Sequence, residues 1–311
     1  MIEFEKLDAC PQMIPNLPIK VTEMGNVLEL QYMSRRNNRQ TIQMLPGGEQ
    51  YIVCDSGEVR DIEHHQTRAD DRKSLYKTFK LARAIINTNV TDVSCVRWIT
   101  LTYAENMTDS KRLYEDFKKF NMRFQYYCKA KEYSKPEYIV MMEPQGRGAW
   151  HAHLLYIWES KAPFIPNEDL ANIWGHGFTK IKKLDNVDNV GAYLTAYLGD
   201  MEVEDMESIK ASIRGGSTLK RVELEENGEP QTKYFIKGAR LPLYPSNFNM
   251  IRYSKGIKKP TETFMCQEDA EKKASAGTLT FEKTVRLTDS DTDFECLINT
   301  RYYNTKRTKK Q

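Results

Sequence analysis

The sequence predicts an α+β fold in which one antiparallel sheet carries helices on one of its faces. Three observations indicate this class. Several short segments alternate apolar and polar residues, which is typical of strands with one buried face. A long segment between two of them has apolar residues at helical spacing. Two strand-like segments are also separated by a turn rich in Pro and Gly, which indicates a hairpin.

The strongest elements alternate between strand and helix in a fixed order. They are a strand, a helix, two strands, a helix and a strand, over residues 96–103, 109–129, 137–143, 150–158, 167–173 and 178–184. This is the ferredoxin-like order, in which the helices pack on one face of the sheet. The other face is then available for a metal ion and a nucleic acid.

The segment 150–155, WHAHLL, contains two of the five histidines of the chain. Side chains at positions i and i+2 of a strand point to the same face, so His151 and His153 should project side by side. Two neutral imidazoles in this arrangement suit a divalent metal ion. The ordinary alternative is a pair of half-buried histidines that are satisfied by hydrogen bonds.

A third ligand follows from the hairpin. If the turn over 144–148 is symmetric about Arg147, Glu143 lies directly opposite His151, with Cβ atoms about 4.5–5.5 Å apart. Two imidazoles and one carboxylate would suit Mg²⁺ or Mn²⁺ bound together with a substrate phosphate, and they do not exclude Zn²⁺ or Fe²⁺. The alternative for Glu143 is a solvated carboxylate at the end of a strand.

The segment 189–200, NVGAYLTAYLGD, predicts a helix that ends near Gly199. Tyr193 and Tyr197 are four residues apart, so their phenols share one side of it. Such a pair usually closes a hydrophobic core. Beside a metal site, however, a phenol can attack a phosphodiester and form a phosphotyrosine.

Three motifs in this order resemble the HUH-superfamily endonucleases. They are the strand WITLTY over 98–103, the strand with His151 and His153, and the helix with two tyrosines. Among these enzymes the chain is most similar to rolling-circle replication initiators related to the filamentous-phage gene II protein. The resemblance covers about 96–200. Related initiators often have a lysine three residues after each tyrosine, whereas this chain has Ala196 and Asp200.

The resemblance implies site-specific nicking at a replication origin. Glu143, His151 and His153 would hold Mg²⁺ or Mn²⁺, and Tyr193 or Tyr197 would become linked to the 5′-phosphate. The expected partners are single-stranded origin DNA, with duplex origin DNA as a further candidate, and a host polymerase. A host helicase is expected as well, because the chain has no P-loop. The protein would act in the cytoplasm of a bacterium that carries the plasmid or phage.

Composition limits the remaining possibilities. The net charge is only +3, so the DNA-binding surface must be local, and Lys180, Lys182, Lys183 and Arg147 are the predicted contacts. Six scattered cysteines without a C-x-x-C pair indicate reduced thiols. No apolar run approaches the roughly 18 residues that would indicate a membrane span.

The predicted domains are an accessory region over 1–92, with short strands and a basic helix, the catalytic domain over 93–200, and an accessory region over 201–311 with a basic C-terminal tail.

Three other functions remain open. A relaxase or a single-strand transposase of the same superfamily would use similar residues. A non-heme metal oxygenase could use His151, His153 and Glu159, which share strand parity. A noncatalytic nucleic-acid-binding module could use the histidines and tyrosines for stacking.

Overall fold

The computed structural model describes residues 2–11, 13–14, 16–36, 40–64, 66–184, 189–195, 199–203, 218–226 and 229–307. The fold is α+β with antiparallel sheets, as predicted. The chain forms two compact units, one of residues 1–65 and 260–311 and the other of residues 66–259. The sequence placed the domain limits elsewhere, after residues 92 and 200.

Six strands precede the first helix. They are β1 (Ile2–Leu7), β2 (Ile19–Met24), β3 (Val27–Met33), β4 (Ile42–Met44), β5 (Gln50–Val53) and β6 (Val59–Asp61). The last three of these form a small antiparallel sheet in the order β4-β5-β6. The turn between β2 and β3 is tight because Gly25 adopts a positive φ of 61°.

The second unit begins with helix α1 (Arg72–Asn89) and continues with the elements predicted from the sequence. These are β7 (Val96–Tyr103), α2 (Ser110–Ala130), β8 (Glu137–Pro144), β9 (Trp150–Ile157), α3 (Asn167–Trp174) and β10 (Gly177–Lys182). After them come α4 (Val190–Thr195), β11 (Met201–Val203), β12 (Leu219–Glu226), β13 (Glu229–Ile236) and β14 (Ile251–Tyr253). Each predicted boundary over 96–184 lies within two residues of the observed one.

The C-terminal elements complete the first unit. They are β15 (Thr261–Met265), α5 (Gln267–Ala274), β16 (Thr278–Asp289) and β17 (Glu295–Asn304). They join a six-stranded sheet in the order β1-β16-β17-β3-β2-β15. Residues 301–304, which the sequence assigned to a basic tail, therefore form the end of a strand that pairs with β3.

The second unit is built on a five-stranded antiparallel sheet in the order β10-β7-β9-β8-β14. On one face, Phe120 and Phe124 of α2 and Trp174 of α3 form a core with Leu154 and Tyr156 of β9. The ring centroids of Phe124 and Tyr156 lie 4.2 Å apart. This is the face that the sequence assigned to the helices.

The opposite face is partly covered as well, which differs from the prediction of helices on one face only. Ile85 and Ile86 of α1 and Leu194 of α4 pack against Leu155 of β9. The reason is that α1 has an apolar stripe of its own, and this stripe has to be buried against some surface. None of the helices among the described residues is long and apolar enough to cross a membrane.

Candidate metal centre

The hairpin of β8 and β9 has the predicted register. Glu143 pairs directly with His151, and Met141 pairs with His153. The turn between the strands is closed by a hydrogen bond of 2.8 Å from the Gly148 backbone nitrogen to the Gln145 carbonyl oxygen. Since opposed residues share a face, this register places the carboxylate and both imidazoles on one side of the sheet.

The three side chains form a compact cluster. Glu143 Oε2 lies 3.5 Å from His151 Nε2 and 3.3 Å from His153 Nε2. The ligand atoms of all three residues lie within 4.8 Å of one another, so they could hold a metal ion. Thr100 Oγ1 lies 3.3 Å from Nδ1 of His153, which orients the ring so that Nε2 faces the carboxylate.

The chemistry of this cluster fits a divalent cation. Nε2 of His151 is buried and has no hydrogen-bond partner, which is costly unless another species binds it. Burial, and then the charge of His153, lowers the pKa of His151 to about 4. The imidazole is therefore neutral at pH 7, which is the form that binds a metal.

The carboxylate is ionised under the same conditions. Glu143 is only 2% exposed. Burial alone would raise its pKa, but the contacts with His151 and His153 and the charge of Arg240 lower the pKa below its ordinary value. A charged carboxylate beside two neutral imidazoles is a donor set that metal ions of borderline or hard character accept.

Arg240 is a site residue that the sequence analysis missed. Its guanidinium forms an ion pair with Oε1 of Glu143, and the backbone nitrogen of Gly199 donates to the same oxygen over 3.4 Å. The backbone nitrogen of Arg240 in turn donates to the Gly199 carbonyl oxygen over 2.9 Å. Oε1 is thus held by protein groups, while Oε2 faces the histidines. Arg240 lies outside the predicted catalytic domain, and no local motif marks it.

Tyr193 lies on the same side of the sheet as the cluster. Its side chain is 41% exposed, and its ring packs edge-to-face on Trp98 with centroids 6.0 Å apart. The Trp98 ring is in turn 6.2 Å from the ring of His153. Trp98 therefore lies between the tyrosine and the candidate metal ligands. Tyr197, the second predicted nucleophile, lies outside the described residues.

Helix α4, which carries Tyr193, is fixed on α1 by a close backbone approach. A Cβ atom at Gly191 would come within 2.5 Å of the Arg83 carbonyl oxygen. The Gly191 nitrogen donates a hydrogen bond of 2.8 Å to Asn87 Oδ1 of the same helix. The side chain of Asn189 accepts from the Ala192 nitrogen over 2.9 Å and so caps the start of α4.

The predicted DNA-binding residues lie in two places. Lys180 and Lys182 are exposed on β10, where they pair with Thr100 and Trp98 of β7. Lys183 is exposed just beyond the strand. Arg147 is exposed in the hairpin turn, where its Nε donates to Gln145 Oε1 over 3.2 Å.

Thr100 pairs with His153 on the other side of β7, so Lys180 and Lys182 share a face with the histidines. Glu159, the third ligand of the oxygenase alternative, is exposed beyond the end of β9 and is not part of the cluster. The carboxylate that completes the cluster is Glu143 instead.

Residues 96–202 match the model of a family of replication-associated proteins, described by its ORF2 and phage gene II protein members. The matched region runs from β7 to β11 and contains the whole Glu143–His151–His153 cluster and both tyrosines. No curated protein and no solved structure matches the chain. The family match confirms the resemblance drawn from the three sequence motifs, and it supports a rolling-circle replication initiator-type protein.

Proposed function

We propose that the protein nicks one DNA strand at a replication origin through a tyrosine nucleophile and so starts rolling-circle replication. The observation that carries this proposal is the compact Glu143–His151–His153 cluster, which lies on the same sheet face as Tyr193 within the family-matched region. A relaxase or single-strand transposase would use similar parts, but the matched family is one of replication proteins.

In this proposal Glu143, His151 and His153 hold Mg²⁺ or Mn²⁺. When bound, the ion would polarise a non-bridging phosphate oxygen and stabilise the leaving 3′-oxygen. The chain's part is to preorganise the ligands. Thr100 orients His153, and Arg240 holds one oxygen of Glu143 so that the other one faces both imidazoles.

The proposed nucleophile is the phenolic oxygen of Tyr193 or Tyr197. It forms a bond to phosphorus while the bond from phosphorus to the 3′-oxygen breaks. The phenol loses its proton, and the departing 3′-oxygen gains one. A 5′-phosphotyrosine and a free 3′-hydroxyl result, and the hydroxyl primes synthesis. The second tyrosine takes over the strand at termination.

Two sets of contacts support giving the tyrosines this role. The ring of Tyr193 packs on Trp98, and the ring of Trp98 in turn lies beside His153. Gly199 follows Tyr197 by two residues, and its backbone nitrogen donates to Glu143. The segment that carries the second tyrosine is therefore tied at its end to a proposed metal ligand.

The proposed substrate is single-stranded origin DNA, with duplex origin DNA as an additional ligand. Lys180, Lys182, Lys183 and Arg147 would neutralise its phosphates. Strand separation and synthesis would fall to a host helicase and polymerase. We further propose that β7 to β10 with α2 and α3 form a ferredoxin-like core of the HUH type, which the sheet order β10-β7-β9-β8 supports.

The test is to trap the covalent adduct. The protein is incubated with Mn²⁺ and single-stranded oligonucleotides that tile the replicon encoding it, and tyrosine-linked nucleotides are identified by mass spectrometry. We expect an adduct on Tyr193 or Tyr197, its loss in the double variant Tyr193→Phe with Tyr197→Phe, and separate roles for the two single variants. Nicking by the double variant would show that the nucleophile is another group.

A matched control is Tyr126→Phe, because Tyr126 is a tyrosine of helix α2 that is 67% exposed. This variant should form the adduct as the wild type does. If the wild-type protein binds the oligonucleotides but forms no adduct under any metal condition, the noncatalytic nucleic-acid-binding module becomes the better account.

A further inference from the structure

The edge strand β10 presents two different sides. Thr179 and Ile181 point toward α3 and the core below it, since Thr179 Oγ1 donates to Asn167 Oδ1 over 3.1 Å and Ile181 packs against that core. The alternate positions carry Phe178, Lys180 and Lys182, which are all exposed. Phe178 is 70% exposed, although it is a large apolar side chain.

The sheet register aligns this exposed side with the metal cluster. Phe178 pairs with Thr102, Thr102 pairs with His151, and His151 pairs with Glu143. Phe178 is therefore in the same row as two proposed ligands. The spacing of neighbouring strands puts it about 10 Å from His151 along the face.

The next row repeats the arrangement with a cation in place of the aromatic ring. Lys180 pairs with Thr100, and Thr100 pairs with His153. In both rows only a threonine lies between the edge of the sheet and a histidine. A strand of nucleic acid that crosses this edge would thus meet an aromatic ring and a cation before it reaches the cluster.

The backbone ahead of Phe178 is held by two glycines with positive φ. Gly175 ends α3 at a φ of 69°, and Gly177 begins β10 at a φ of 148°. A Cβ atom at Gly177 would clash with the backbone of Ala104 and Thr102. The start of β10 therefore lies tightly against β7, and the ring of Phe178 is presented from a fixed point.

A single exposed phenylalanine is ordinary on a protein surface and needs no explanation by itself. Its place decides the matter here, because aromatic rings beside cations are how proteins bind single strands without base pairing. We propose that Phe178 stacks on a base of single-stranded DNA and that Lys180 binds the adjoining phosphate, so that β10 leads the strand to the cluster. This inference rests on the proposed function for the identity of the nucleic acid.

Binding can be tested apart from cleavage. The probe is a fluorescein-labelled oligothymidylate of about 15 nucleotides, which is within the usual range of single-strand site sizes. Anisotropy is measured in EDTA, so that no nicking occurs. Phe178→Ala should weaken binding about 5- to 150-fold, as loss of one stacked base does elsewhere. Phe178→Leu should weaken it similarly, because leucine keeps apolar bulk without a π-face.

The conservative variant gives a readout that loss of structure would not. Phe178→Trp should restore binding, and its fluorescence should be quenched by the oligonucleotide relative to the wild type. The control is Phe164→Ala, since Phe164 is 75% exposed and lies between Ala162 and Ile165 of the core on the opposite sheet face. It should bind as the wild type does. Circular dichroism checks that each variant is folded.

The outcomes separate this inference from the proposed function. If Phe178→Ala binds as tightly as the wild type, if Phe178→Trp shows no quenching, or if the wild type does not bind the probe, the stacking role is wrong. If Phe178 matters for binding but no covalent adduct forms, the nicking proposal fails and the stacking role remains.

Discussion

The two faces of the five-stranded sheet are built to different standards of completeness. Under α2 and α3 the core is closed, and Phe120 and Tyr156 are both fully buried. The polar atoms of its large aromatic side chains have partners. The Tyr156 hydroxyl donates to Asn121 Oδ1 over 2.8 Å, and Trp174 Nε1 donates to the Thr102 carbonyl oxygen over 3.1 Å.

The histidine face leaves comparable atoms without partners. His151 Nε2 and Trp98 Nε1 are buried and make no hydrogen bond. Tyr193 and Phe178 are partly or largely exposed on the same side. One strand, β9, supplies both faces by alternation, so the difference comes from residue choice and not from position in the fold. Unpaired buried polar atoms and exposed aromatic rings on one face indicate a surface that is completed by a ligand.

The largest expected effect would separate activity from stability between the faces. His153→Ala should abolish metal-dependent adduct formation but should change the free energy of unfolding by only about 1 kcal/mol, because one hydrogen bond is lost. Phe120→Ala should lower the free energy of unfolding by about 3–5 kcal/mol, because it leaves a cavity in the closed core. Urea denaturation and Mn²⁺ titration measure the two quantities.

The comparison of faces breaks down if these results are exchanged. A folded Phe120→Ala protein should still bind Mn²⁺ in the absence of urea. A His153→Ala protein that unfolds as easily as Phe120→Ala would mean that the histidine is a structural residue, which was the ordinary alternative for the H-x-H pair.

The next effect concerns Arg240, which pairs with a carboxylate that is almost fully buried. Arg240→Met should destabilise the metal-free protein by about 3 kcal/mol, because it leaves the charge of Glu143 poorly compensated. Mn²⁺ should recover more stability in this variant than in the wild type, since the ion supplies the missing positive charge. Thermal unfolding with EDTA and with Mn²⁺ measures both.

The matched control removes both charges. Arg240→Met combined with Glu143→Gln should cost less than the sum of the two single changes, since no unpaired charge remains. Equal stability of Arg240→Met and wild type in EDTA would show that the ion pair does not hold the carboxylate.

The sequence could predict the parts of the site that depend on local rules. The pairing of Glu143 with His151 follows from the period of two in strands and from the turn around Arg147, and the structure has this pairing. Helix α2 was equally accessible, because Asp109 caps its start and Phe117, Phe120 and Phe124 recur at helical spacing. These signals lie within a few residues of one another along the chain.

What depends on distant contacts could not be predicted. The sequence identified helix α1, but its apolar stripe does not say which surface buries it, and it was assigned to an accessory region. Strand β14 has three residues, which is too short to show a period. Arg240 reaches Glu143 only through the path of the folded chain. Tyr302 and Tyr303 were assigned to a basic tail because a charge run hides the alternation of β17.

The smallest expected effect tests whether the edge strand on the histidine face contacts phosphate. Lys180→Ala should make the slope of log K against log salt shallower by about 0.7 for a single-stranded probe, because one phosphate contact releases one counterion fewer. The control is Lys118→Ala, an exposed lysine of α2 on the opposite face, which should leave the slope unchanged. Phe178→Ala should weaken binding at every salt concentration without changing the slope, because stacking releases no counterions. If Lys180→Ala and Lys118→Ala behave alike, the single strand does not cross β10, and the asymmetry between the two faces ends at the histidines.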